Sequence, residues 1–270
     1  MASNPPALWG VLNVTPDSFS DGGDFVNVDR ALERARQMVS DGASVIDVGA
    51  ESTRPGAGRI DASQEISRLT PVVTELVASG IQVSVDTMRA ETAQAMIRLG
   101  VPIINDVSGG LADPDMFGVI AAADVDYVLM HWRGHSDQMD SLAHYDDVVG
   151  DVISELSGRL DASKEAGIDA SRIWIDPGLG FAKDIEHNWE LCRHIDELVE
   201  MGYPLLVGAS RKRFLGALLP EGHHPKERDG VSVALSVSLA GRGVSAFRVH
   251  EPRLHREALE VWAKSQNTEE

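Results

Sequence analysis

IQVSVDTMRAETAQAMIRLGVPIINDVSG, residues 81–109, reads as a complete strand–helix–strand unit. IQVSVDT and PIINDV are short apolar runs rich in β-branched residues. RAETAQAMIRLG between them has helical spacing and closes on Gly100, the residue type expected just past a helix end. Two nearly continuous apolar strands joined through a helix are expected to pair in parallel, because a parallel connection needs a crossover of that length. The unit recurs along the chain. LWGVLNV (8–14), SVIDVG (44–49), YVLMHW (127–132), IWIDPG (173–178), PLLVGAS (204–210) and AFRVH (246–250) bring the candidate strands to eight. Helical stretches such as VDRALERARQMVSDG (28–42), SQEISRLTPVVTELVASG (63–80) and HNWELCRHIDELVEMG (187–202) lie between them. Eight such units predict a single (β/α)8 TIM barrel in preference to an open doubly wound sheet. No linker or composition break interrupts them, so one domain is expected over residues 1–270, with the barrel proper at about 8–263.

Two connections depart from the pattern. TPDSFSDGGDFVN (15–27) after the first strand and ESTRPGAGRIDAS (51–63) after the second lack helical periodicity. Loops of about a dozen residues in a compact domain are usually binding loops or lids, and their Gly, Ser and Asp content predicts mobility.

Composition narrows the partners. The chain of 270 residues carries 42 acidic and 24 basic residues, a formal charge of −18. Such a surface repels nucleic acid and anionic lipid, so a small-molecule partner is expected, with any bound anion held by a local cluster of cations. MASNPPALWG has neither the basic nor the apolar region of a secretion signal, and no run is long enough to span a bilayer. The single cysteine, Cys192, excludes an internal disulfide framework and fits a helix interior in a reducing, cytoplasmic compartment.

The eight strands end on polar residues: Asn13, Asp47, Asp86, Asn105, His131, Asp176, Ser210 with Lys212, and Arg248 with His250. Asp and Asn at strand–helix junctions also cap helices, which is the bland reading of each one alone. In a barrel, however, the C-terminal strand ends converge on one face, where barrel enzymes build their sites. Carboxylates and a carboxamide suit the N–H-bearing edge of a heterocycle, while Arg54, Lys212, Arg248 and His250 suit a phosphorylated group. Arg211, Lys212 and Arg213 follow the seventh strand at the start of a predicted helix, where cations are disfavoured by the helix dipole, so an anion there would account for them.

In chain order, LNVTPDSFSDGG (12–23), DVGAESTRPGA (47–57), SVDT (84–87), INDVSG (104–109), DPGLGF (176–181), GASRK (208–212) and RVH (248–250) resemble the motifs of the dihydropteroate synthases. The resemblance runs from Gly10 to about Trp262. It implies condensation of a dihydropterin bearing a hydroxymethyl diphosphate with 4-aminobenzoate, giving dihydropteroate for folate synthesis. It implies that Asp86, Asn105 and Asp176 bind the pterin edge, with Lys212 near its carbonyl and N5. Arg248 would stack on the ring and, with His250, hold the diphosphate. Asn13 would contact Mg²⁺ carried by that diphosphate. Thr53, Pro55, Ser210, Phe19 and Phe181 would form the aminobenzoate pocket, the target of sulfonamides in this family. Arg54 would reach in from the second loop, positioned by Asp47, and late barrel helices would form a homodimer. Ala50 stands where the family often has Gly, a change expected to be tolerated.

Other readings are weaker. Lys212 as a Schiff-base nucleophile would need desolvation or a cationic neighbour, such as Arg211 or Arg213, to lower its pKa. A pterin-binding domain of corinoid-dependent methyl transfer would leave the STRPG and SRK cations without a role. GLG (178–180) lacks the third glycine of a dinucleotide fingerprint. His131 and His135 stand four apart, but His131 ends a strand, so they are not expected to share a metal. His223 and His224 read as a solvated loop.

Overall fold

In the computed structural model, residues 4–15, 24–51, 60–135 and 138–266 are described, with backbone alone at 24–27 and 140. The predicted strands are all present: β1 (Ala7–Asn13), β2 (Val45–Gly49), β3 (Val83–Asp86), β4 (Ile103–Asp106), β5 (Asp126–Met130), β6 (Ile173–Asp176), β7 (Leu206–Val207) and β8 (Ala246–Val249). All pair in parallel in the order β6-β5-β4-β3-β2-β1-β8-β7. A parallel bridge between Ile175 and Leu205 joins the two edges, so the sheet closes into a barrel. Around it lie α1 (Asp24–Ser40), α2 (Ala62–Ala78), α3 (Ala90–Arg98), α4 (Met116–Ala121), α5 (Val148–Glu165), α6 (Ile185–Arg193), α7 (Ile195–Val199), α8 (Arg213–Gly216), α9 (Asp229–Ala240) and α10 (Pro252–Gln266).

The helix boundaries correct the sequence reading in three places. DFVN belongs to α1, not to the preceding loop. HNWELCRHIDELVEMG is two helices broken at His194, because the Arg242 guanidinium takes the carbonyls of Cys192 (2.8 Å) and Arg193 (2.6 Å) that a continuous helix would use. SRKRFLGALL yields a single turn, α8, too short to carry much dipole. Elsewhere the signals act as read. Gly100 follows α3 at φ 91°, a conformation that an L side chain resists. Ala50 is buried outside the left-handed region, so its turn does not require glycine.

Side chains of a strand alternate between faces, and here the two faces belong to two cores. Ile46, Val48, Val83, Val85, Ile104, Tyr127, Leu129, Ile175 and Phe247 point outward into the layer under the helices. Trp9, Val45, Ile103, Val128, Leu206 and Ala246 form a separate apolar plug, joined by Ala7 and Trp174, and Trp9 packs on Trp174 at 5.3 Å between centroids. This plug closes the floor of the lumen. Two residues further along the same inward stripe, β2, β4, β6 and β8 carry polar residues, while β1, β5 and β7 carry Val11, Met130 and Gly208.

Trp9 is 1% exposed and is the largest member of the plug. Trp9→Ala is expected to cost about 3–5 kcal/mol, read as a lower urea midpoint with little change in slope. A loss under 1 kcal/mol would mean that the floor is not packed as described.

Candidate active site

The period of two sets the site. Asp47 follows Val45 on the inward stripe, Asp86 follows Ser84, Asn105 follows Ile103, Asp176 follows Trp174 and Arg248 follows Ala246. The register places Gly49 beside Asp86, Asp86 beside Asn105 and Met130 beside Asp176. These strands therefore deliver three carboxylates, a carboxamide and a guanidinium to one lumen above the apolar plug.

Arg248 links them. Its Nε donates to Asp47 Oδ2 at 2.5 Å and its terminal nitrogen donates to Asp86 Oδ2 at 2.8 Å. Asn105 Nδ2 donates to the same Asp47 oxygen at 3.2 Å, while Asp47 Oδ1 is buried without a hydrogen-bond partner. Burial opposes the charge on Arg248, but the two carboxylates outweigh it and hold the group protonated. Asp86 has the reverse balance. Burial, reinforced by Asp47 on the shared cation, pushes its carboxyl up to about 7 even with Arg248 in contact. Burial likewise raises Asp176, against the Gly178 N–H donating to its Oδ1 at 2.7 Å and the charge of Lys212.

Lys212 enters from the loop after β7. Its Nζ lies 3.9 Å from the centre of the Phe181 ring, and burial together with Arg248 lowers it to about 8. The neighbouring cations do not share this lumen role. Arg211 has φ 60°, which turns its side chain away to bind Asp229 through two bonds (2.7 and 2.8 Å) and Glu251 at 3.2 Å. The expectation that the three cations jointly serve an anion is therefore corrected: Lys212 faces the lumen and Arg211 ties the loop to α9 and to the end of β8. The cation that lowers Lys212 is Arg248, not Arg211 or Arg213.

At the rim, Ser210 Oγ lies 3.0 Å from His250 Nδ1 and accepts the His250 N–H at 3.2 Å. Asn13 ends β1, half-buried, on the side of Asp86: a Cβ added to Gly49 would meet Asp86 Cβ at 3.5 Å and Asn13 Oδ1 at 3.8 Å. Gly208 similarly leaves the wall bare between Asp176 and Arg248. Asn13, Asp47, Asp86, Asn105, Asp176, Phe181, Ser210, Lys212, Arg248 and His250 thus line one opening. Phe19, Thr53, Arg54 and Pro55 lie outside the described residues, as do residues 16–23 and 52–59 of the two long connections.

Some polar residues serve structure. Asp106, next to Asn105, points outward and accepts from Ser108 N and Oγ, Gly110 N and Tyr127 OH at 2.6–2.8 Å. His131 turns to Lys183 and Glu155, while His135 packs on Trp132, and among the described residues no group of three His, Cys, Asp or Glu could hold a metal. Cys192 is buried in α6 with its thiol pushed up to about 12 by desolvation. His223 and His224 sit in a surface turn, one against Arg228 and the other capping residues 225–228.

Sequence reasoning missed Lys183, whose position in FAKD has no periodic signal, and Arg89. Arg89 pairs with Glu51 (2.6 Å) and with buried Glu65 (3.1 Å), and donates to Ile60 O, bridging both flanks of the second long connection.

The chain matches the pterin binding enzyme family over residues 9–250. A dihydropteroate synthase of Mycobacterium leprae (strain TN) is 47% identical over 266 residues, 97% of this chain and 94% of the relative. The dihydropteroate synthase of Xanthomonas albilineans, solved with 4-aminobenzoic acid, superposes with a TM-score of 0.91 at 40% identity, covering 98% of this chain and 95% of that one. That of Anaplasma phagocytophilum, solved with 6-hydroxymethylpterin-monophosphate, gives 0.87 at 36% identity, covering 96% and 98%.

A carboxyl whose folded pKa lies above its unfolded value of 3.8 stabilises most below that value and loses its contribution as pH rises through about 7. Asp86→Asn removes that dependence. Between pH 5 and pH 8 the stability gap should therefore move in the variant's favour by on the order of 2 kcal/mol, measured by urea denaturation at each pH. A constant gap would mean that Asp86 titrates as an ordinary surface carboxylate.

Proposed function

We infer the workings of the site from one premise: the chain belongs to the dihydropteroate synthases of the pterin binding enzyme family. It is a transferase of folate biosynthesis that condenses (7,8-dihydropterin-6-yl)methyl diphosphate with 4-aminobenzoate, forming 7,8-dihydropteroate and releasing diphosphate. The observation that carries the assignment of roles is the lumen itself: hydrogen-bonding carboxylates below, cations beside and above them, and an apolar floor.

The pterin edge presents N–H donors in a plane, and Asp86, Asn105 and Asp176 offer the acceptors and the carboxamide to meet it. Arg248 donates to Asp86 at 2.8 Å. In the reading proposed here the pterin edge replaces it there, leaving Arg248 on Asp47 and free to stack on the ring and reach the diphosphate. Lys212 donates to the pterin carbonyl and N5, and its depressed pKa reflects a desolvated ammonium ready for an acceptor. His250 with Ser210 lies at the rim, where the diphosphate and the aminobenzoate would meet. Phe181 offers a flat apolar wall to the aminobenzoate, with Phe19, Thr53, Pro55 and Arg54 assigned to the same pocket on sequence grounds.

The reaction needs little from a base. The arylamine nitrogen is unprotonated at neutral pH and attacks the exocyclic methylene carbon. The new C–N bond takes the place of the C–O bond to diphosphate, and the nitrogen then sheds its proton. The chain's contribution is alignment of the two substrates and stabilisation of charge that moves onto the leaving diphosphate, through Arg248, Lys212 and His250. Asp47 acts through Arg248 and Asn105 and is a positioning residue. Mg²⁺ fits this donor set: Asn13 supplies one hard oxygen, and such an ion keeps waters and substrate phosphates as its other ligands. When bound, it would neutralise the leaving diphosphate.

A homodimer is part of the same reading. The apolar face of α9 extends round the helix, with Val231, Val233 and Val237 half-buried and Ala234 exposed, as expected of a helix that a second copy covers. The cytoplasm is the compartment we infer, from the lone free cysteine; among the described residues no helix is long and apolar enough to cross a membrane.

Purified protein given the pterin diphosphate, 4-aminobenzoate and Mg²⁺ should release diphosphate, and Asp176→Asn or Arg248→Met should lower kcat/KM by about a hundredfold or more. A sulfonamide should compete with aminobenzoate once the pterin site is filled. Absence of diphosphate release from folded wild-type protein would overturn the reading. Sedimentation equilibrium is expected to give a dimer that Val233→Lys converts to monomer, and a wild-type monomer would remove the dimer alone.

A further inference from the structure

Lys183 is 8% exposed, meets the residues that line the opening only at the Phe181 backbone carbonyl, and is fully engaged. Its Nζ meets three acceptors: His131 Nδ1 at 2.9 Å, Gly178 O at 3.1 Å and Phe181 O at 3.2 Å. An ammonium has three donors and no acceptor, so the charged form is matched one to one. The match also settles the histidine tautomer. Nδ1 accepts from Lys183, so Nε2 carries the hydrogen and donates to Glu155 Oε2 at 2.9 Å. Glu155 is held in turn by Arg133 Nε at 3.0 and 3.1 Å. A hydrogen-bonded relay thus runs from α5 to two backbone carbonyls of the turn between β6 and α6.

That turn is strained and tightly enclosed. Ala182 is buried at φ 45°, a left-handed conformation that a non-glycine residue adopts only where its surroundings impose it. Gly178 has φ 66°, and a Cβ there would stand 2.3 Å from the His131 carbonyl oxygen. Lys183 follows Ala182 directly and reaches back to the carbonyls of Gly178 and Phe181 before it. Between them it fixes the residues that present Phe181 to Lys212 at 3.9 Å and the Gly178 N–H to Asp176 at 2.7 Å.

We propose that Lys183 is a positioning residue for the aminobenzoate half of the reaction, its ammonium locking the β6–α6 turn so that Phe181 stands as the wall of that pocket. The proposal rests on the placement of aminobenzoate against Phe181 in the preceding section. A neutral lysine has one donor fewer for the same three partners, so loss of its proton releases a carbonyl and loosens the wall. Burial, with Arg133 and Lys212, lowers Lys183 to about 7, opposed by Asp176 of β6 and Glu155 of α5. His131, lowered to about 4 by burial and by Lys183, stays neutral throughout this range and remains an acceptor. The pocket is therefore tight when Lys183 is charged and looser when it is not.

The test compares KM for aminobenzoate in wild type and Lys183→Met from pH 6 to pH 9, with the Kd of the pterin diphosphate measured alongside. At pH 6 the variant should show a KM about tenfold above wild type with kcat and the pterin Kd within about threefold. Wild-type KM should climb toward the variant's value as pH rises, so that their ratio falls from about tenfold toward one, a change that the titrations of Asp86 and Lys212, common to both proteins, do not produce. A wild-type KM in the variant, or a raised KM whose ratio to wild type does not change with pH, would overturn the proposal while leaving the synthase reading intact. Inactive wild-type protein would instead remove that reading. If Lys183→Met does not fold, the ¹³C resonances of the Gly178 and Phe181 carbonyls in wild type carry the test: at least one should lose its hydrogen-bonded shift over the same pH range, and unchanged shifts at both would count against the lock.

Discussion

One guanidinium, that of Arg248, lies between the carboxylates of Asp47 and Asp86 in the upper lumen of the barrel, and the disposition of the site follows from it. Removing two carboxylates and a cation from water costs several kcal/mol per ion, and the attraction between them repays this only in part. An apolar filling of the same volume would make a more stable barrel, as Trp9, Val45 and Val128 do on the floor below. The ionic layer is therefore explained by what it binds. Burial raises the Asp86 carboxyl, and the one guanidinium it shares with Asp47 does not offset that. A neutral ring with planar N–H donors supplies what the pair lacks.

The remaining layers of the structure keep this arrangement in place. The outward faces of the strands bury Ile46, Val85, Ile104 and Leu129 beneath the helices, so the inward stripe cannot slip register without exposing that core. The loops at the mouth are held by ion pairs that never enter the lumen. Arg211 joins the loop after β7 to Asp229 and Glu251, and Arg34 joins Glu251 and the His250 carbonyl at 3.2 and 2.7 Å. Arg89 does the same for the flanks of the second connection, and Lys183 for the β6–α6 turn. The cations named above thus divide into two sets, those in the lumen and those that hold the frame.

The sequence makes the barrel and much of the site legible for a physical reason. A strand buried on both faces alternates inward and outward with a period of two, so VID, SVD, IIN, WID and AFR announce both the strand and the polar residue it sends inward. The same period sends Asp106 outward, in keeping with the choice of Asn105 by the resemblance. What escapes sequence is set by single dihedral angles and by contacts between distant segments. Arg211 and Lys212 are adjacent cations, and only the left-handed backbone at Arg211 sends them to opposite sides. The break at His194 depends on Arg242, 48 positions away in the chain, reaching two helix-end carbonyls. Lys183 has no spacing that marks it, because its three partners are a histidine from another strand end and two carbonyl oxygens.

The account stands most directly on where the pterin ring lies relative to Arg248. A crystal structure with the dihydropterin diphosphate bound should show the ring edge on Asp86, Asn105 and Asp176, with Arg248 withdrawn from Asp86 and still on Asp47. A complex in which the ring lies elsewhere and the Arg248–Asp86 contact survives unchanged would contradict it.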